Sequence, residues 1–346
     1  MWLVRPAQPG DLKAILELVG GVGPRLSSTL PRKDEALAEK IEQSVRAFAG
    51  ALDGTIDGTN DPDESLRFLF VLEDTDTGVV RGVAGIDSRA GHGQPFYNYR
   101  QDALIHASHE LGVSRRVNVL YPSHALTDHT LLCAFTIDPD LRGTDAFELL
   151  SRARMMFIAS NRHLFTDHAV VEIQGVQTES GEVPFWDSLG RHFFNMDFET
   201  ADQHSGALSK TFIAELMPPN PVYVALLTPE AQATLGQAHE KTRPTYELLQ
   251  REGFRAGAYL DIFDAGPVLE ARTDSLKTIA ASLPGTLHGN PTEDGELCLI
   301  AGGTRAHFRC TVTSMAETLA GEFKVPVKAW HCLGLDAGEP VRVSPL

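Results

Sequence analysis

Apolar positions along the chain recur with two periods. At helical spacing they fall at Leu12, Ile15, Leu16 and Val19, at Leu37, Ile41, Val45 and Phe48, and at Leu149, Leu150, Ala153, Met156 and Phe157. This predicts a helix capped by Asp11, a second over 34–51 and a third over 146–160. Short apolar runs between turn residues predict strands at 2–5, at LLCAFTI (131–137), at AVVEIQGV (169–176) and at KTFIAEL (210–216). Residues 67–87 read as strand, turn, strand around Asp76-Thr77-Gly78, and YLDIFDAGPVLEAR (259–272) as a strand with a sharp turn. The runs 184–194, 229–238 and 244–251 read as helices, and GGVGPRLSSTLP (20–31) and the polar 53–64 as loops, the latter mobile. Residues 88–128 are rich in polar aromatics and carry no clear period. After about residue 275 Gly and Pro rise and only short β-like runs remain, so a domain over 1–275 and a small β-rich subdomain over 276–346 are expected.

A length of 346 residues exceeds the usual single domain, in keeping with one large and one small unit. With 42% hydrophobic and 22% charged residues the chain is of ordinary globular composition. No apolar run approaches the ~20 residues a membrane span needs, and MWLVRPAQPGDL lacks the features of a signal peptide, so a cytoplasmic protein is expected. Cys133, Cys298, Cys310 and Cys332 form no CxxC pair, which points away from a zinc site and from disulfides. A net charge of −16 argues against a nucleic-acid partner but says little about a small cationic substrate.

The chemistry concentrates in FTIDPDLRGTDAFELLSRARMMFI (135–158), where a strand runs through a short turn into a helix. A helix N-terminus after a strand can hold a phosphate, and Arg142 could pair with one directly. Against this, only Gly143 is present where phosphate cradles are usually glycine-rich, and Asp145 adds a negative charge. Any α/β sheet contains such a junction, and Arg142 equally reads as a solvated turn residue. WDSLGRHFFNMDF (186–198) and YELLQREGFRAGAYLDIF (246–263) both run from helix through Gly and Phe toward a strand, an ending found in acyl-CoA-dependent N-acetyltransferase folds and a hint of partial duplication.

PFYNYR (95–100), IHASHEL (105–111), PFWDSLGRHFF (184–194), FIAELMP (212–218), AQATLGQAH (231–239) and REGFRAGAYLDIFDAGP (251–267) together resemble the bacterial arginine N-succinyltransferase family. The resemblance implies an α/β, N-acetyltransferase-like fold with an extra C-terminal β-rich subdomain. It also implies transfer of succinyl from succinyl-CoA to the α-amino group of L-arginine or L-ornithine, opening an ammonia-producing arginine degradation route, with no metal. In such a fold the central strand splays from its neighbour, its backbone binds the pantetheine arm, and the next helix faces the pyrophosphate. Carried over, the proton-transfer residue is His239 in GQAH, and the cofactor contacts are Phe135, Thr136, Ile137, Arg142, Gly143 and Thr144. The loop GTDAFE lacks the family's usual glycines, and SHALTDHTLLCAF and VVEIQG look closer to the alpha chains of paired arginine/ornithine enzymes. A homo-oligomer or a heteromer with a homologous beta chain is therefore expected.

An amine attacking a thioester must shed a proton, and the departing thiolate must gain one. A histidine such as His239, with a pKa near 6.5, suits either task. Arginine needs carboxylates for its guanidinium, and the candidates are Glu172, Glu215, Asp261 and Asp264. Glu172 and Glu215 stand in apolar strand-like runs, whereas Asp261 and Asp264 flank a turn that either could simply cap. A cation should meet the succinyl carboxylate, with Arg100 the first choice and Arg191 the second, and His106 and Ser108 could orient the substrate. Two readings result: an active N-acyltransferase, favoured by His239, or a weakly active or non-catalytic alpha subunit supporting a glycine-bearing partner, favoured by the altered loop.

Overall fold

The computed structural model describes residues 1–21, 30–50, 65–207, 211–303, 305–319 and 321–346. The loop expected over 53–64 and most of that over 20–31 lie outside them. Fifteen strands follow in chain order: β1 (Trp2–Pro6), β2 (Arg67–Asp74), β3 (Val79–Asp87), β4 (Asn98–Ser108), β5 (Val113–Ser123), β6 (Thr130–Ile137), β7 (His168–Glu172), β8 (Val222–Tyr223), β9 (Arg255–Asp261), β10 (Pro267–Arg272), β11 (Leu283–Leu287), β12 (Glu296–Gly302), β13 (Arg309–Leu319), β14 (Glu322–Lys324) and β15 (Pro340–Pro345). They form one sheet in the order β12-β15-β11-β14-β13-β1-β2-β3-β6-β7-β10-β9-β4-β5-β8. Because β12 also pairs with β13, the five C-terminal strands close into a ring, which joins the main sheet at Val4↔Cys310. Most neighbours are antiparallel, and the pair β6–β7 is parallel.

Three helices matter most for the site: α1 (Leu12–Gly21), α2 (Asp34–Ala49) and α3 (Asp145–Ser160). Strand β2 shows why the sheet is covered on both sides. Its alternation sends Leu69 and Val71 to Ile15, Val19, Leu37 and Ile41 of α1 and α2, and Phe68, Phe70 and Leu72 to the face carrying α3. Helix α3 is buried almost all round, between the main sheet and the outer face of the ring, whose Leu299, Ala301 and Cys310 share its core. Phe157 sits at the centre, its ring 5.4 Å from Phe48, 4.9 Å from Phe68, 5.2 Å from Phe70 and 5.2 Å from Phe308. The inside of the ring is filled by Leu287, Ile300, Phe323, Val325, Val341 and Val343, with Ala329 and Leu333 from the helix Val327–Leu333.

Several expectations need correction. Residues 211–216 form a helix, not a strand: Ile213 and Met217, one turn apart, are both buried, and a short, mostly apolar run does not by itself choose between the two. Asp11 is not the N-cap of α1. It ends a short turn capped at Gln8 and pairs with Arg5 at 2.8 Å, while accepting the Gln8 N–H. Residues 98–123 are a long hairpin of β4 and β5, solvated on both faces in its outer half, so no alternation marked it. The apparent duplication does not hold. Gly253, with φ of 115°, ends the helix Arg243–Glu252 and Phe254 leads into β9, but Asn195 leads into another helix, Phe198–Ala207. Strand β7 stops at Glu172, the helix near 229 ends at Thr234, and β15 follows a short helix rather than a purely β segment.

Phe157→Ala should cost about 3–5 kcal/mol, the usual range for deleting a fully buried aromatic, read as a lower urea midpoint. A loss under about 1 kcal/mol would mean that α3 is not the common core of sheet and ring.

Candidate active site

The site begins where two strands part. β6 and β7 pair only at Thr130↔Ala169 and Leu131↔Val170. Beyond, Ala134 takes φ of 55° and the register of β6 against β3 shifts between Val83 and Gly85, bending β6 away. β7 stays with β10 instead, through Val268↔Glu172 and Ile173 N–H donating to Pro267 at 3.0 Å. Gly82 and Gly85 let this happen. A Cβ on Gly82 would lie 2.7 Å from Leu150 Cδ2, and one on Gly85 3.0 Å from Cys133 Sγ, so a larger residue at either position would make α3 or β6 shift against β3.

The parting opens three linked cavities. The innermost, 160 Å³, lies between Cys133–Thr136 of β6 and Glu172–Gln174, and reaches Arg154, Asp261 and Asp264. A 70 Å³ cavity shares Phe135, Thr136 and Gln174 with it. That cavity shares Ile137, Arg142 and Lys241 with an outer one of 530 Å³ against α1. The result is a groove running along the unpaired side of β6 to the start of α3.

At the outer junction stand two cations. Neither Arg142 nor Lys241 makes an ion pair with a described residue, and both line the groove. Gly143 turns the chain with φ of 76°, and the Thr144 hydroxyl donates to Leu141 O at 2.7 Å instead of capping α3. The first N–H groups of α3 thus keep their capacity for an acceptor from outside the helix. Asp145 beside them is exposed, so its charge is well screened.

His239 follows the turn after Thr234. Its backbone N–H donates to Gln174 O at 2.8 Å, and Gly175 bridges Ala238, which pins this segment against the chain leaving β7. The ring is half-buried, and Nδ1 accepts the Lys241 N–H at 3.0 Å, so the neutral imidazole carries its proton on Nε2. Burial and then Lys241 hold its pKa below 6.5, opposed by Glu240. The ring stands beside the three cavities, not in their walls, while its neighbours Lys241 and Thr242 line them.

The inner end is acidic. Asp264 is buried and takes N–H bonds from Gly175 and Gly266, both at 2.8 Å. A Cβ on Gly175 would fall 2.5 Å from Asp264 O, so only glycine allows this contact. Burial, and then Asp261, push the Asp264 carboxyl well above the usual range. Asp261 accepts N–H bonds from Phe263 at 2.7 Å and Asp264 at 2.8 Å, so turn-capping and a place in the cavity wall coexist. Glu172 accepts from Asn98 Nδ2 at 3.0 Å. Asp202, not in the cavity walls and not anticipated from the sequence, is pushed up to about 7 by burial, with Arg32 opposing and Asp261 reinforcing. Cys133, also in the wall, is pushed up to about 12 by burial, which favours the protonated thiol over the thiolate.

Phe135, Thr136, Ile137, Arg142, Glu172, Asp261 and Asp264 are therefore brought together along one groove. Arg100, His106 and Ser108 are not: they lie on the projecting hairpin, Arg100 paired with Asp102 at 3.2 Å. Glu215 is exposed on the helix Thr211–Leu216, and Arg191 is an exposed residue of the helix after Trp186. Sequence reasoning missed Arg154, Gln174, Lys241, Thr242 and Thr245, all in the groove. Lys241 stands two residues from GQAH and was the most accessible of these. Arg154 is hidden inside an apolar helix.

Comparison with known proteins places this geometry. The family model described as arginine N-succinyltransferase beta subunit matches residues 2–278, and that of its C-terminal domain matches 286–345. The arginine N-succinyltransferase subunit beta of Pseudomonas aeruginosa is 40% identical, covering 99% of this chain and 98% of its own. An arginine N-succinyltransferase of Escherichia coli is 38% identical over 100% of this chain and 98% of its own. The solved structure of arginine/ornithine succinyltransferase subunit AI from Pseudomonas aeruginosa superposes with a TM-score of 0.88 at 34% identity, covering 100% and 98%. No described helix is long and apolar enough to cross a membrane.

Since the fold holds His239 neutral, its contribution to stability is complete above pH 6.5 and is lost as pH falls through the lowered pKa. In an NMR titration the His239 ring should titrate below 6.5, and Lys241→Gln should raise the midpoint. A midpoint at or above 6.5 in the native chain would refute the assigned environment.

Proposed function

The chain belongs to the arginine N-succinyltransferase family, and on that premise we propose that it transfers the succinyl group of succinyl-CoA to the α-amino group of L-arginine or L-ornithine. The observation that carries this reading is the groove itself. It offers a strand edge at Phe135–Ile137, unpaired cations at its outer junction and carboxylates at its inner end. A CoA thioester needs the first two and a cationic amino acid the third. In this N-acetyltransferase-like reading Phe135, Thr136 and Ile137 hold the pantetheine arm through backbone groups. Arg142, Lys241 and the turn Gly143–Thr144 hold phosphates, and Glu172, Asp261 and Asp264 receive the cationic amine substrate.

The chemistry is direct attack. The amine nitrogen, once deprotonated, forms a bond to the thioester carbon, the C–S bond breaks, and the thiolate takes up a proton, giving the N-succinyl amino acid and CoA. A covalent relay through Cys133 is disfavoured by its protonated thiol. His239, with Nδ1 occupied by a backbone N–H, presents Nε2 for hydrogen bonding and proton transfer at the reacting group. The same reading covers the division into residues 1–275 and 276–346, a cytoplasmic location, and assembly with like or homologous chains. A supporting subunit is the second reading, favoured by Asp145, a carboxylate at the helix start where a phosphate would lie.

A thiol-release assay separates the two. The chain alone should release CoA from succinyl-CoA with L-arginine or L-ornithine, and His239→Ala should lower kcat roughly 10²–10⁴-fold. Arg142→Ala and Lys241→Ala should raise KM for succinyl-CoA more than KM for the amine. A folded chain with no turnover, restored by a homologous partner, would support the subunit reading; turnover indifferent to His239→Ala would remove His239 from the chemistry.

A further inference from the structure

Two arginines stand two residues apart on α3 and meet opposite fates. Arg152 is buried and fully answered: Glu252 lies 3.0 Å from its Nε, Glu148 3.6 Å from Nη1, and Pro345 O accepts from Nη2 at 2.6 Å. Arg154 is buried to 1% exposure and no carboxylate among the described residues pairs with it. Its Nε donates to Ser151 O at 3.2 Å and Nη2 to Ser151 Oγ at 3.2 Å, both on its own helix, and Nη1 reaches Cys133 O only at 3.5 Å. Its guanidinium carbon lies 5.1 Å over the Phe135 ring. Burial lowers its pKa to about 10, so it stays charged at neutral pH.

An uncompensated buried cation costs several kcal/mol. Of the five guanidinium N–H groups, three are used and one on each terminal nitrogen is left, the pair that a carboxylate takes bidentately. Arg154 also lines the inner 160 Å³ cavity, alongside Phe135 and Thr136, where the acyl end of the thioester would emerge from the strand edge.

We infer that Arg154 receives the free carboxylate of the succinyl group, making it the residue that selects a dicarboxylic acyl donor. The inference rests on the acyl-transfer reading above and replaces Arg100 and Arg191 in that role. It also gives the cavity a division of labour: the acyl anion turns to Arg154 on one side, and the cationic amine to Asp261, Asp264 and Glu172 on the other.

The test compares succinyl-CoA with butyryl-CoA, which has the same four-carbon chain and a methyl in place of the carboxylate. The native chain should prefer succinyl-CoA. In Arg154→Met, kcat/KM for succinyl-CoA should fall about 30-fold or more, the loss typical of removing one partner of a buried charge pair, while that for butyryl-CoA holds or rises. Arg154→Lys should retain part of the preference. An equal loss with both donors, or an unmoved ratio, would assign Arg154 to structure alone and overturn the inference. Should the variants not fold, a crystal structure of the native chain with succinyl-CoA decides: the carboxylate on the Arg154 terminal nitrogens supports it, and the carboxylate elsewhere overturns it. If the native chain turns over succinyl-CoA but the ratio does not depend on Arg154, only this inference fails. If it uses no acyl-CoA, the acyl-transfer reading fails first and takes this one with it.

Discussion

The parallel contact between β6 and β7 is two residue pairs long, and the site depends on its brevity. Had the ladder continued, the backbone of Phe135–Ile137 would be spent on β7 and no groove would exist. The interruption is built from several sides at once. Ala134 takes a left-handed conformation, Gly82 and Gly85 give β6 and α3 room against β3, and β10 holds β7 in place. Gly175 then lets the chain past β7 rest on Asp264. Gly82, Gly85 and Gly175 touch no reactant in the proposed chemistry, yet each fixes where the groove opens.

Along that groove the charge is not uniform. Arg142 and Lys241 line the outer cavities, whereas Arg154 shares the inner one with Asp261, Asp264 and Glu172. A net charge of −16 does not reveal this, because the surface excess is acidic while the groove carries both signs. Burial sharpens the pattern: it pushes the Asp264 carboxyl up and the Arg154 guanidinium down, so each would be relieved by a partner of opposite charge.

Much of the frame was legible in the sequence. The strand at 131–137 and the helix at 146–160 carry long, consistent apolar patterns, and both formed within a residue or two of expectation. The 98–123 hairpin escaped because its outer half is solvated on both faces, and 211–216 was misread because so short a stretch, with four apolar residues in TFIAEL, fits either period. For the site, linear proximity misled. Arg100 and His106 stood in distinctive strings but point from a projecting arm. Asp261 and Asp264 were ambiguous between cap and site because both hold the turn by hydrogen bonds and both line the cavity. Arg154 left no linear signal, since the pattern that marks α3 as buried says nothing of which buried arginine lacks a carboxylate among the described residues.

The ends of the sheet carry a separate consequence. One end curls into the closed ring, and the other finishes on β8, two residues long, so neither terminus offers an extended ladder of unpaired amides. The outer flanks of the β4–β5 hairpin do offer one, and there Asp102, His106, His109, Arg115 and Arg116 are exposed among Ile105 and Leu111. Polar and charged side chains on such an edge discourage indiscriminate strand-to-strand association. The fold thereby lines this long exposed edge with polar and charged side chains, a safeguard against aggregation that operates independently of catalysis.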